Sequence, residues 1–307
     1  MMVEEVIETL APAAGSCQID ATVGGGGHAR RILEANSPDG RLLGLDADQA
    51  AIARTQRRLA PFGERAVLRQ ANFEQLAETA GATGFVPADG VLFDLGLSSH
   101  QLAADERGFS FHAAGELDMR FDTGRGQPAH RVLAELDEKA LADVFRHYGE
   151  EPHARRIARA IVERRSSTPI TTAQELAEVV TAVAPFPPRG RRRLHPATRV
   201  FQALRIYVNR ELETLPKALA AAVDVLRPGG RLAVLSYHSL EDRIVKRFIA
   251  AERRGCICPP EAPVCVCGRQ PRLAPIGRQP RRPSAEEVAR NSRARSALLR
   301  SARRLAA

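Results

Sequence analysis

The sequence predicts an α/β fold, a Rossmann-like and mostly parallel sheet interrupted by an inserted helical domain. Three observations carry that expectation. From Cys17 the chain reads as a short apolar strand, four glycines from Gly24 to Gly27, a helix starting near His28 and a second strand ending on Asp46. Strand and helix keep alternating as far as Asp94, an order that requires parallel strands with right-handed crossovers. The alternation then stops for more than a hundred residues and resumes with a helix, the turn RPGG and the strand RLAVLSYHS. The expected borders put 1–104 and 211–307 in the sheet domain and 105–210 in the insertion.

Each element follows from its residues. Glycines allow a sharp turn and close approach of backbone to a ligand, a helix N-terminus offers unpaired N–H groups, and an acid after the second strand can accept both hydroxyls of a ribose. Asp46 stands 19 residues after Gly27, near the ~20 expected of a ribose-binding acid. Gly24 to Ala29 also fits GxGxxA, so the loop alone leaves a dinucleotide-binding oxidoreductase open, as well as a plain strand-to-helix turn. DQAAIARTQRRLAPFG has helical spacing, AVLRQANF reads as a strand ending near Phe73, and PADGVLFD as a strongly apolar strand ending on Asp94. Gly24 to Gly27, Asp46, Phe73 and Asp94 therefore fall at the carboxyl edge of the sheet, where such folds bind ligands. In the insertion, Val132, Leu133, Leu136, Leu141, Val144 and Phe145 share an apolar helical face, and Thr172 with Glu175 forms a capping box. A long helix is expected from Arg199 to Leu226, then a turn at Pro228, Gly229 and Gly230.

The charge narrows the partners. With 45 basic and 36 acidic residues the net charge is +9 and the pI about 10.0, which favours an anionic partner, nucleic acid ahead of a membrane surface. Arg189, Arg191, Arg192, Arg193 and Arg199 lie in one stretch without an acid, and the segment from Arg269 to Ala307 holds eleven arginines against Glu286 and Glu287. Two basic segments point to an extended polyanion, with a solvated charged surface as the alternative. No apolar run approaches the ~20 residues of a membrane span, and MMVEEVIETLAPAAG lacks the pattern of a signal peptide, so a cytoplasmic location is expected.

Cys17 reads as a small core residue of the first strand. Cys256, Cys258, Cys265 and Cys267 form CICPPEAPVCVC, four thiols close enough for tetrahedral zinc, but their CxC spacing strains that geometry compared with the usual CxxC. Reduced thiols or a redox-sensitive pair are the alternatives. Catalysis by these cysteines is not expected.

Nine strings spread over the chain, DATVGGGGH, DLGLSSHQL, RGFSF, LDMRFD, YGEE, RIARAIVERR, HPATRVFQALRIYVNREL, LRPGGRLAVLSYHSLEDRIVKRF and NSRARSALLR, resemble the bacterial rRNA small-subunit methyltransferase H family, also called RsmH or MraW. The resemblance implies a class I SAM-dependent methyltransferase fold. It also implies methylation of the exocyclic N4 of a cytidine in the decoding region of 16S rRNA, cytidine 1402 in the usual rRNA numbering, within the 30S subunit. It makes Gly26, Gly27, His28, Asp46, Phe73, Asp94 and Gln101 the contacts of S-adenosyl-L-methionine (SAM). By position alone His28 reads as a helix-start residue facing solvent, and Gln101 rests on the resemblance. The family usually opens with a short HxPVLL-like segment where this chain starts at MMVEEVIE, so a few residues that help to close the donor site are expected to be missing. The CxC pairs occur in only part of the family, as expected of a loop stabiliser.

The amino nitrogen of cytosine is a poor nucleophile because its lone pair is delocalised into the ring. A site must orient it, accept a proton and exclude water. Asp94, Ser98 and the backbone carbonyls around them are the expected acceptors, and Tyr237 and His238 are candidates to contact the base or, instead, to cap the sheet edge. Other readings stay open on the sheet alone: a non-catalytic ribosome-assembly factor, a DNA N4-cytosine methyltransferase, or a methyltransferase acting on protein. The insertion's apolar surface is also sufficient for a homodimer.

Overall fold

A computed structural model describes residues 1–103, 105–111, 115–184, 195–259 and 264–306. The chain divides into two compact units, Met1–Gly96 with Leu212–Ala307, and Leu97–Glu211. The helical unit thus begins at Leu97 rather than 105, because Ser98 and Gln101 already open its first helix.

The first unit starts with α1 (Val3–Leu10) and runs through β1 (Cys17–Asp20), α2 (Gly27–Ala35), β2 (Arg41–Asp46), α3 (Gln49–Leu59), β3 (Ala66–Gln70), α4 (Leu76–Ala82) and β4 (Ala88–Asp94). The helical unit follows with α5 (Ser99–Ala103), α6 (Ala129–Glu135), α7 (Glu138–Gly149), α8 (Ala154–Ser167), α9 (Ala173–Val183) and α10 (Thr198–Asn209). The chain then returns to the sheet with α11 (Glu211–Val225), β5 (Leu226–Ser236), α12 (Ser239–Arg253), β6 (Leu273–Pro275), α13 (Ala285–Arg290) and β7 (Leu298–Arg304).

The seven strands form one sheet in the order β3-β2-β1-β4-β5-β7-β6. The first five are mutually parallel and β7 runs antiparallel to both β5 and β6. Strict alternation along the central strands sends Leu43, Leu45, Val91, Phe93, Leu232 and Val234 to a core shared with α4, α11 and α12. Leu42, Leu92, Ala233 and Leu235 face the opposite core with α1 and α2. A sheet buried on both faces needs such near-continuous apolar strands. Strand order reverses between β1 and β4, the switch point at which ligands enter open α/β sheets.

Within the helical unit, Leu133, Leu141, Phe145, Ile157, Leu176 and Leu204 close a separate core. Thr172 Oγ1 accepts the Glu175 N–H at 3.2 Å while the Glu175 carboxylate accepts the Thr172 N–H at 3.0 Å, the expected capping box.

Three local expectations need correction. The long helix from Arg199 to Leu226 is two helices, because Arg210 takes left-handed dihedrals (φ 52°) and its N–H caps α10 on Ile206 and Tyr207. The turn at Pro228 to Gly230 lies inside β5 as a register shift against β4, with Gly229 at φ +82°. The arginine-rich C-terminal segment, expected as a basic tail, is in part sheet, while Arg278, Arg282, Arg290, Arg293 and Arg295 stay exposed. It supplies β6 and β7, where Leu299, Ser301 and Ala302 are buried and Arg300 makes two bonds to Asp242, at 2.6 and 2.9 Å.

Candidate functional site at the carboxyl edge of the sheet

The glycine loop connects β1 to α2 and is strapped to α3 by its carbonyls. Thr55 Oγ1 donates to Gly24 O (2.8 Å) and Arg58 Nη1 to Gly25 O (2.9 Å). Gly26 is required by the fold itself: its φ is +73° and an added Cβ would stand 2.9 Å from Thr55. Gly27 differs, because a Cβ there would meet none of the described residues within 4 Å outside its chain neighbours and its own helix backbone. The space beside Gly27 leaves the start of α2 open to a close approach of a ligand.

Asp46 holds the same loop from β2. Its Oδ2 accepts the Gly24 N–H at 2.8 Å and its Oδ1 the Asp48 N–H at 2.9 Å. Burial pushes its carboxyl up to about 6 against the lowering effect of those two bonds. Phe73 follows β3 at the same edge, half-buried, with its ring edge-on to Phe93 at 6.1 Å. The strand before it stops at Gln70, because Asn72 instead caps a short turn through Phe73.

At the switch point the buried His28 meets the half-buried Asp94 and Tyr237. Asp94 Oδ1 accepts a 2.5 Å hydrogen bond from the Tyr237 hydroxyl, and Oδ2 lies 3.4 Å from His28 Nδ1. The backbone N–H of Asp94 donates to Thr22 Oγ1, fastening β4 to the loop after β1. Burial raises the Asp94 carboxyl, but the hydrogen bond and charge of His28, with the Tyr237 hydroxyl, outweigh it and hold the group below the usual carboxylate range. The converse holds for His28. Burial lowers it, yet Asp94 raises it above an ordinary imidazole. Its Nε2 faces the Met1 carbonyl at 2.9 Å, which can only accept, so a proton on each ring nitrogen suits both neighbours. His28 is therefore a buried ion-pair partner rather than the solvent-facing helix-start residue its position suggests.

Asp20 was not singled out by sequence, though it is the last strand residue before the glycine loop. It is 1% exposed, and burial pushes its carboxyl up to about 7, offset in part by His28 and by the Thr22 N–H. A carboxyl whose folded value lies above its unfolded value of 3.8 binds more protons when folded, so its contribution to stability declines as pH rises from about 4 to about 7. Asp20→Asn is therefore expected to leave stability nearly unchanged at pH 4 and raise it at pH 8, on the order of 4 kcal/mol by linkage. Urea unfolding of both proteins at the two pH values checks this; equal midpoints at pH 8 would show that Asp20 ionises at no cost.

The other expected residues are placed as follows. Ser98 and Gln101, in the helical unit, satisfy each other across the first turn of α5: Gln101 Oε1 accepts the Ser98 N–H at 3.0 Å and Ser98 Oγ the Gln101 N–H at 3.2 Å. His238 caps α12 through its Nδ1, with Nε2 3.1 Å from Glu241. Arg199 reaches the Glu150 carbonyl at 3.1 Å. Arg189, Arg191, Arg192 and Arg193 lie outside the described residues. On the first unit, Lys246, Arg253, Arg254 and Arg300 line a cavity of about 470 Å3 between α12 and the chain after β6. Among the described residues, no helix is long and apolar enough to cross a membrane.

A seven-stranded sheet of this order with an antiparallel β7, a glycine loop after β1 and an acid closing β2 defines a class I, SAM-dependent methyltransferase. The chain belongs to the MraW methylase family, whose model matches residues 1–305. It is 53% identical over 306 residues to the ribosomal RNA small subunit methyltransferase H of Thermomicrobium roseum, covering 100% of this chain and 93% of the relative. With the protein of the same name from Syntrophotalea carbinolica it shares 50% over 308 residues, 99% of this chain and 97% of that one. Among solved structures, an rRNA methylase of Streptococcus thermophilus gives a TM-score of 0.45 at 13% identity, over 100% of this chain and 95% of that one, too distant to bear on function.

Proposed function

We propose that this protein transfers a methyl group from SAM to the exocyclic N4 of a cytidine in the decoding region of 16S rRNA, cytidine 1402 in the usual numbering, with the 30S subunit as substrate. The observation that carries the reading is the conjunction of a class I sheet with the full-length family match to small-subunit rRNA methyltransferases.

The residues present fit the donor. SAM carries a ribose, a flat base and two positive centres, the sulfonium and the ammonium. Asp46 stands at the end of β2 with a free lone pair left on each oxygen after its two backbone bonds, suited to ribose hydroxyls. Gly26 and Gly27 keep backbone at the ligand's edge, and Phe73 offers an apolar face to the adenine. Asp94 supplies negative charge for the cationic end, and His28 and Tyr237 fix its carboxylate in one orientation.

When bound, SAM supplies an electrophilic methyl on sulfur. The protein's own task is to aim the cytosine nitrogen and take up its proton. Asp94 and Ser98 are the acceptor candidates, and the ionised, low-pKa state of Asp94 suits it better to fixing charge and orientation than to keeping a proton. Tyr237 stays a hydrogen-bond donor, since burial and the Asp94 charge push its hydroxyl up. A base in structured RNA must be presented unstacked, and Arg189, Arg191, Arg192, Arg193 and Arg199, with the basic cavity beside α12, are the proposed grips on the phosphate backbone. We place the enzyme in the cytoplasm with its ribosomal substrate.

Incubation with labelled SAM and 30S subunits lacking the modification, followed by nucleoside analysis, tests the reading. N4-methylcytidine at a single site is expected. Label in a different nucleoside or none in RNA, with donor binding intact, would overturn the substrate.

A further inference from the structure

The connection between α12 and β6 is anchored at its base, and beyond that base none of its described residues belongs to a hydrophobic core. Arg272 N–H donates to the Glu252 carbonyl (2.8 Å) and Arg269 Nη2 to the Ala251 carbonyl (3.0 Å), which closes the base on the end of α12. Beyond that base the side chains are sorted in the reverse of hydrophobic order. Ile257 is 55% exposed, Val264 70% and Val266 87%, while the four cysteines face one another with all four Sγ atoms within 4.8 Å. Leaving three branched apolar side chains in water to gather four small thiols is unfavourable unless something binds the sulfurs.

The sulfur geometry identifies what binds. Cys265 and Cys267 Sγ are 3.6 Å apart and Cys256 and Cys267 Sγ 3.8 Å, against about 3.8 Å for the edge of a tetrahedron with the zinc–sulfur bond of about 2.3 Å. These separations are far beyond the ~2.05 Å of a disulfide, and all five cysteines of the chain are free. The CxC spacing is thus no obstacle, since the 265–267 pair already spans one tetrahedral edge.

The backbone adds a second, independent sign. Ile257, between the first two cysteines, donates its N–H to Cys267 Sγ of the second arm (3.5 Å), and Val266, between the last two, donates to Cys258 Sγ of the first (3.4 Å). Cys258 N–H donates to Cys256 Sγ (3.4 Å). Two arms exchange crossed N–H to sulfur bonds in a near-twofold arrangement. Sulfur accepts weakly as a thiol and well as a thiolate, the form that coordinates metal.

We propose that Cys256, Cys258, Cys265 and Cys267 form a closed tetrathiolate site for a single zinc ion that cross-links the connection between α12 and β6. Binding forms four Zn–S bonds as the thiols that are still protonated release their protons to solvent, without redox change. With four protein ligands the site has no open position, which makes it structural. The proposal is independent of the RNA substrate.

The test uses the full chain purified with a thiol reductant and without added metal or chelator. Elemental analysis is expected to give one zinc per chain, with the four thiols unreactive toward a thiol reagent until the metal is displaced. Exchange with Co2+ is expected to give sulfur-to-cobalt charge transfer and the intense visible bands of a tetrahedral site. Cys265→Ser with Cys267→Ser is expected to lose the metal, whereas Cys17→Ser, in β1, keeps it. Trypsin is expected to cut the stripped protein between Arg253 and Arg272 while the sheet resists. Four freely titrating thiols in metal-free protein, or two disulfides after thiols are blocked at lysis, would overturn the site. So would a cobalt spectrum without sulfur charge transfer, a readout that needs no variant to fold.

Discussion

Asp94→Asn is expected to lower methyl transfer by roughly 100-fold or more while leaving the sheet folded, a loss of at least about 3 kcal/mol in the transition state. Asparagine matches the shape of aspartate and retains one oxygen to accept the Tyr237 hydroxyl, so packing at the end of β4 should survive. Two things do not. The negative charge proposed to face the donor's cationic end disappears, and His28 loses the group that raises it above an ordinary imidazole. Burial, which lowers the ring, is then no longer outweighed by Asp94. The two partners also set opposite pH limits on stability. The raised His28 stabilises below its unfolded value and loses that contribution as pH rises through its folded value. The lowered Asp94 stabilises above its unfolded value and loses its share as pH falls. Their ion pair is complete in the window between. The checks are calorimetric affinity for SAM, single-turnover transfer to 30S subunits, and thermal unfolding. Unchanged affinity and rate in a folded variant would remove Asp94 from the site, and Tyr237→Phe, which removes only the short hydrogen bond, should show a smaller loss.

Much of the sheet is legible in the sequence because local signals agree there. A strand, four glycines and a helix have one common solution, the apolar alternation of β4 and β5 fixes their faces, and the spacing from Gly27 to Asp46 follows from the length of one helical crossover. What is hidden depends on long-range pairing. Asp94 and His28 lie on different elements far apart in the chain, and nothing local marks His28 as buried; only the neighbouring ends of β1 and β4 bring them together. β7 is hidden for a related reason. LLRSARR carries little β-propensity and reads as charged surface, yet Arg300 is neutralised by Asp242 of α12, and its neighbours Leu299, Ser301 and Ala302 can then be buried. The break at Arg210 rests on one left-handed residue that is not glycine, which composition does not announce. The cysteine cluster shows the opposite limit. Its residues are obvious, but whether CxC spacing can present a tetrahedral edge depends on side-chain directions that only coordinates give.

Asp46→Ala is expected to weaken SAM binding by about 100-fold, in line with about 1.5–3 kcal/mol for hydrogen bonds to a charged acceptor together with a loosened loop. The carboxylate has two jobs at once. It fastens the glycine loop through the N–H groups of Gly24 and Asp48, and in the proposed reading its remaining lone pairs receive the ribose hydroxyls. Alanine removes both, so a weaker donor affinity alone would not separate them. Asp46→Asn does, since its amide oxygen still accepts one backbone N–H while its NH2 group opposes the other and offers one acceptor fewer to the ribose. Hydrogen exchange at Gly24 reports the loop, and affinity for SAM against a 2′-deoxyribose analogue reports the hydroxyls. If Asp46 serves the ribose, wild type discriminates against the deoxy analogue and both variants bind the two donors nearly equally. If discrimination persists in the alanine variant, Asp46 only shapes the loop and the ribose is held elsewhere. The carboxyl's value of about 6 adds a pH signature: donor affinity should fall below pH 6 in wild type, as the acceptor is protonated, and stay flatter there in Asp46→Asn.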